Sequence, residues 1–178
     1  AVGIPEESYK YTQAAPVNDL DFIRDLMLKN KDNGGTAAIL VEPIGPESGT
    51  RPVYWDFNAG LRKLCDEFGA LLIFDEVVSG FRMGLGGAQG MFGVTPDLTV
   101  FGKAITGGYP AAGGVGGKKE IMQLFAPGLG GKGKKVMVGG TLSANPLSCA
   151  AGYFAIQEME RTGAAEKAAA AGDRMTKG

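Results

Sequence analysis

Asp75 and Lys103 are the residues from which covalent chemistry could be built in this chain, because each closes a short apolar run. Leu71-Leu72-Ile73-Phe74 leads into Asp75-Glu76, and Leu98-Thr99-Val100-Phe101-Gly102 leads into Lys103. Both runs read as buried strands. In an open parallel sheet, ligands bind beyond the carboxyl ends of the strands, so two neighbouring strands would bring Asp75 and Lys103 to one edge. A carboxylate facing a lysine that can lose its proton suits a carrier with both an aldehyde and a pyridine nitrogen. The lysine forms the imine, and the aspartate keeps the ring nitrogen protonated as an electron sink. That is the chemistry of pyridoxal phosphate. Acidic and basic residues also cap ordinary strands, so the pair alone leaves a structural role open.

The composition narrows the alternatives. The chain has 178 residues, no histidine, two cysteines and a net charge of -1. Without histidine, Ser-His-Asp and Cys-His catalysis are excluded, and two cysteines do not make a zinc site, so no metal is expected. Any catalytic base must be a lysine, a carboxylate or a tyrosine. Nothing basic enough for nucleic acid is present, and no apolar run reaches the roughly 18 residues of a membrane span. The first residues lack the regions of a signal peptide. Cys65 and Cys149 stand unpatterned inside apparent helices, which points to the reducing cytoplasm. The 30 glycines crowd between Gly80 and Gly140 with no repeat period, as tight turns around strand ends and a ligand would require.

The elements that must position the pair alternate. Asn18 is the expected N-cap of a helix carrying Leu20, Phe22, Ile23, Leu26 and Met27, stopped at residues 31–35. A strand over 37–41 ends in Glu42-Pro43, and a helix over 56–68 presents Phe57, Leu61, Leu64 and Cys65 to the core and ends near Gly69. After the strands at Leu71 and Leu98, further strands are expected at 111–115 and 136–138. A short helix is expected over 119–125, a basic loop over 128–135, and long helices over 145–161 and 163–177. This alternation predicts an α/β fold, a mainly parallel sheet flanked by helices, in one domain.

Four segments carry a family resemblance. Phe74-Asp75-Glu76-Val77-Val78-Ser79-Gly80-Phe81-Arg82 resembles the aspartate segment of class III pyridoxal-phosphate aminotransferases. Thr95-Pro96-Asp97-Leu98-Thr99-Val100-Phe101-Gly102-Lys103-Ala104, with Gly107-Gly108-Tyr109-Pro110, is similar to their lysine segment. Val41-Glu42-Pro43-Ile44 and Gly139-Gly140-Thr141-Leu142-Ser143-Ala144-Asn145-Pro146-Leu147 match two further landmarks in the same order. Within the family, Gly86-Gly87-Ala88-Gln89 and Gly140-Thr141-Leu142-Ser143 resemble the branch holding the glutamate-1-semialdehyde 2,1-aminomutases and their aminotransferase relatives.

The resemblance implies pyridoxal 5'-phosphate as cofactor and part of the large domain of a fold-type I enzyme. It makes Lys103 the imine-forming lysine and proton shuttle, Asp75 the partner of the ring nitrogen, and Val77 the residue packed on a ring face. Thr141 would bind the cofactor phosphate across a homodimer interface. Val78 stands where many members carry a glutamine that reaches the ring hydroxyl, a hydrogen bond valine cannot donate. Glu47 matches a glutamate that pairs with a substrate-gating arginine in several relatives. Family members run to more than twice this length. The phosphate loop would precede Ala1 and the small C-terminal domain would follow Gly178, so a fragment is expected. The expected activity is amino-group transfer on a small amino acid or amino aldehyde. The alternatives are the intramolecular transfer of an aminomutase and a catalytically silent fragment. Nucleotide binding fails at Lys135, which replaces a P-loop hydroxyl, and at Lys119, which replaces a fingerprint glycine.

Overall fold

The computed structural model describes residues 2–110, 112–125, 136 and 139–178. Its elements in chain order are α1 (Leu20–Asn30), β1 (Ala38–Val41), the single-turn α2 (Pro46–Gly49), α3 (Phe57–Phe68), β2 (Leu71–Glu76) and α4 (Gly87–Phe92). They continue with β3 (Leu98–Phe101), β4 (Gly114–Gly117), α5 (Lys119–Met122), α6 (Pro146–Thr162) and α7 (Ala164–Thr176). The strands lie side by side in the order β1-β2-β3-β4. β1, β2 and β3 run parallel, and β4 returns antiparallel to β3. The expected α/β architecture is present, with one antiparallel strand on its edge. Parallel neighbours need a crossover, which α3 supplies between β1 and β2 and α4 between β2 and β3.

Alternation along β2 divides the molecule. Leu72, Phe74 and Glu76 are buried, whereas Leu71, Ile73 and Asp75 are half-buried on the other face. Leu72 and Phe74 pack with Ile23 and Met27 of α1 and with Phe57, Leu61, Leu64 and Cys65 of α3 in one core. Each such side chain contributes about 2 kcal/mol of burial. Gly69 closes α3 in the left-handed conformation that favours glycine. The register pairs Asp75 with Val100 and Glu76 with Phe101, so β2 and β3 end level with one another.

Several expectations shift. The cap of α1 is Asp19, whose carboxylate accepts from the Phe22 N–H. Asn18 instead has φ 65°, and its side chain holds the next loop by donating to the Pro52 carbonyl and accepting from the Tyr54 N–H. The strand expected at 111–115 forms over Gly114–Gly117, and Ala111 lies outside the described residues. The basic loop at 128–135 and residues 137 and 138 of the strand expected at 136–138 also lie outside them. Among the described residues, no helix is long and apolar enough to cross a membrane.

Candidate active site

The C-terminal ends of β2 and β3 bring Asp75 and Lys103 to the same edge of the sheet. Asp75 is the penultimate residue of β2, and its Oδ1 accepts from the Val77 N–H at 3.0 Å, turning the chain sharply after the strand. Among the described residues, its Oδ2 accepts no hydrogen bond. Lys103 stands two residues past the end of β3 and opens a 3-10 turn, Lys103–Thr106. Its side chain is exposed and, among the described residues, forms no ion pair. The two chain reversals touch. A Cβ built on Gly102 would lie 3.1 Å from Val77 Cγ1, so glycine lets the Val77 side chain settle against the residue before the lysine. Val77 and Val78 are both half-buried.

Lys103 has φ 46°, a left-handed conformation that costs a residue with a side chain roughly 1–2 kcal/mol. Helix α6 braces this turn from below. A Cβ on Gly152 would fall 1.9 Å from the Ile105 carbonyl oxygen, and one on Gly107 would fall 2.5 Å from that of Ala151. Only glycine at both positions permits this approach. The Ser148 hydroxyl, near the start of α6, donates to the Pro110 carbonyl at 2.8 Å. Asn145 caps the same helix by accepting from the Ser148 N–H. Thr141 lies exposed in the turn just before that cap. Asp75, Val77 and Lys103 therefore share one edge, whereas no hydrogen bond links Thr141 to them among the described residues.

Two glutamates set loops that sequence reasoning left undefined. Glu76 is fully buried and points to the face opposite Asp75. Its carboxylate accepts from Ser79 Oγ, the Ala88 and Gln89 N–H groups and Gln89 Nε2, and Gln89 Nε2 also donates to Thr99 Oγ1 of β3. This carboxylate seeds α4 at a segment whose glycines suggested only a loop. Gly87 must be glycine there, because a Cβ would strike Glu76 Oε2 at 2.4 Å. A cavity of about 420 Å³ opens beside this clamp, lined by Phe81, Leu85, Gln89 and Phe101 among others, and it includes neither Asp75 nor Lys103. Glu42, just past β1, accepts from the N–H groups of Glu47 and Ser48, both at positive φ. That turn leaves Glu47 exposed, with Arg51 at 3.7 Å and the Thr50 hydroxyl at 3.2 Å. The signal for both clamps was a glutamate just at a strand end followed by glycine within a turn.

At the opposite end of the sheet, Asp97 precedes β3 and is buried. Its Oδ2 accepts from Arg62 Nη1 at 2.8 Å and from the Leu72 N–H at 2.6 Å, and its Oδ1 pairs with Lys118 Nζ at 2.6 Å. Burial by itself would raise this carboxyl. The hydrogen bonds from Lys118, Arg62 and Leu72 outweigh it and hold Asp97 down to about 2. Lys118 is raised in turn by its hydrogen bond to Asp97. Burial pushes the Cys65 thiol up to about 11, which keeps it protonated and inert in the core.

The edge fits pyridoxal phosphate on the chemistry of its donors. Among the described residues, a half-buried carboxylate keeps one oxygen open, an unpaired lysine amine follows the next strand, and the apolar Val77 side chain packs against the glycine before that lysine. Residues 2–178 match the family model Aminotransferase class-III, and the chain belongs to that family. It is 44% identical over 177 residues to the glutamate-1-semialdehyde 2,1-aminomutase of Ignicoccus hospitalis, covering 99% of this chain and 40% of that relative. Its fold matches an omega-transaminase from Sphaerobacter thermophilus, with a TM-score of 0.77 and 37% identity over 89% of this chain and 35% of the other. A transaminase with PLP bound matches with the same TM-score at 32% identity, over 89% of this chain and 36% of the other. The chain thus spans about two fifths of the length of the curated relative.

Proposed function

We propose that this chain carries the cofactor-holding edge of a pyridoxal-phosphate enzyme that transfers amino groups between small amino acids and keto compounds. The observation that carries the reading is the placement of Asp75 and Lys103 at the ends of adjacent parallel strands, with the amine and one carboxylate oxygen unclaimed among the described residues. When bound, pyridoxal phosphate supplies an aldehyde to take up nitrogen and a pyridinium ring to accept electrons. Lys103 Nζ would hold the cofactor covalently and, as a free amine, would carry a proton to and from the substrate carbon. Asp75 would accept from the ring N–H and keep it protonated. Val77 would pack against the ring and exclude water from that face. In sum the donor loses its amino group and leaves as a keto compound, and a second keto compound takes up that nitrogen, so the two halves balance without an external oxidant.

Thr141 is read as a phosphate ligand for a second copy of the chain, which makes the working unit a homodimer with two shared sites. Its exposed position ahead of α6 supports a role in a neighbour's site. Mixing Lys103→Ala with Thr141→Ala subunits should then restore activity through one intact composite site. Failure to complement in a mixture shown to exchange subunits contradicts the shared site.

An intramolecular transfer is the second reading. It is favoured by the aminomutase named among the relatives and by the Gly86-Gly87-Ala88-Gln89 segment clamped by Glu76. The two readings separate in full-length protein containing this chain. Transamination requires that an amino donor convert the bound cofactor to its amine form and that an added keto acid then be aminated. Isomerisation of glutamate 1-semialdehyde without an external acceptor would overturn it in favour of the aminomutase.

A further inference from the structure

The residue proposed to carry the reacting amine is held in an uncommon backbone conformation, and one side chain grips it directly. Thr106, 5% exposed, donates its hydroxyl to the Lys103 carbonyl at 2.9 Å. Backbone bonds from Ile105 N–H to Gly102 and from Gly107 N–H to Ala104 close the remainder of the turn. Below it, Gly152 of α6 is seated against the Ile105 carbonyl so closely that no side chain would fit. The turn is thus fixed from beneath by α6 and tied back by Thr106, while the Lys103 side chain extends into solvent.

We infer that Thr106 is a positioning residue for Lys103, which deepens the proposed function and rests on its assignment of Lys103. The left-handed Lys103 Cα sets the direction in which Cβ leaves the backbone, and the four-carbon stem carries that direction out to Nζ. A hydroxyl is needed because only a donor can hold the carbonyl in place. The Thr106 methyl has no proton to donate and cannot replace that bond. A displacement of about 1 Å at a reacting atom costs on the order of 10²-fold in rate. Losing the tie frees the Lys103–Ala104 peptide to turn, lets the Lys103 backbone leave its left-handed conformation and swings the amine away from the edge shared with Asp75.

The test compares Thr106→Val, which keeps the shape and loses the donor, with Thr106→Ser, which keeps the donor, in full-length protein freed of cofactor. Two quantities are read: amide hydrogen exchange at Lys103 to Gly107, and the rate at which added pyridoxal phosphate is captured. Capture is followed by visible absorption and by borohydride trapping with peptide mapping. The expected result is faster exchange in that turn and capture slowed on the order of 10²-fold in Thr106→Val. Thr106→Ser should stay close to wild type in both, and the urea midpoint should account for neither change. Equal capture by Thr106→Val and wild type overturns the inference. So does equal slowing in both variants, or a slowing that disappears once corrected for the folded fraction. Trapping on a lysine other than Lys103 in the wild type overturns the proposed function itself, and this inference with it.

Discussion

At each end of the β2–β3 pair stands an aspartate with a lysine within a strand's reach, and the two ends treat their charges in opposite ways. At the amino end, Asp97 is buried, and both its oxygens are engaged by Arg62, Lys118 and the Leu72 N–H. At the carboxyl end, Asp75 is half-buried and accepts a single local N–H, while Lys103 has no ionic partner among the described residues. The first end ties α3, β2 and β3 to the lysine that follows β4, as a charge buried with its partners can. The second keeps an acceptor and an amine open where a parallel sheet offers its ligand crevice. Whether partners are satisfied, rather than residue type, separates the structural pair from the chemical one.

The largest effect expected from breaking this contrast is at Lys103. In full-length protein, Lys103→Ala should lower turnover by on the order of 10⁴-fold or more, with the urea midpoint nearly unchanged. Asp97→Ala should do the reverse. It leaves the Arg62 guanidinium without its buried partner and should cost about 4 kcal/mol in denaturant unfolding, with catalytic constants preserved in the folded fraction. Asp75→Asn keeps the shape and removes the charge. Its turnover should fall by about 10²-fold, a loss of about 3 kcal/mol in transition-state stabilisation, while stability holds. A variant at one end that reproduced the phenotype of the other would break the contrast.

Legibility in the sequence followed the range of the interactions. Asp75, Lys103 and the α/β order could be read because strand ends, period and apolar runs are local. The opposite facing of Asp75 and Glu76 is already implicit in the two-residue period of a strand, yet the partners of Glu76 lie 3 to 13 residues on, in a segment whose glycines advertised only a loop. Asn18 looked like a cap because its type suits one. Its amide is instead spent on Pro52 and Tyr54, 34 and 36 residues away, a contact no local pattern reveals. Asp97 read as part of a motif, and its burial with Arg62 depends on α3 lying across the sheet.

Two smaller effects sharpen the comparison. The folded Asp97 carboxyl lies near 2, below its ordinary 3.8. Its contribution is therefore fully present above about pH 4 and is lost as the pH falls towards 2, a loss of about 2 kcal/mol. Acid unfolding should show that loss in wild type and a much smaller one in Asp97→Asn. Lys103, at the other end, carries backbone strain. Lys103→Gly should accordingly be about 1 kcal/mol more stable than Lys103→Ala, because only glycine relieves φ 46°.

The central claim is that the open end of the sheet is where the cofactor is held, through Lys103. Borohydride reduction of full-length protein loaded with pyridoxal phosphate, followed by proteolysis and mass mapping, tests it most directly. The account predicts loss of the visible absorption and a pyridoxyl mass on Lys103. A label on Lys118, at the closed end, or on any other lysine would contradict it.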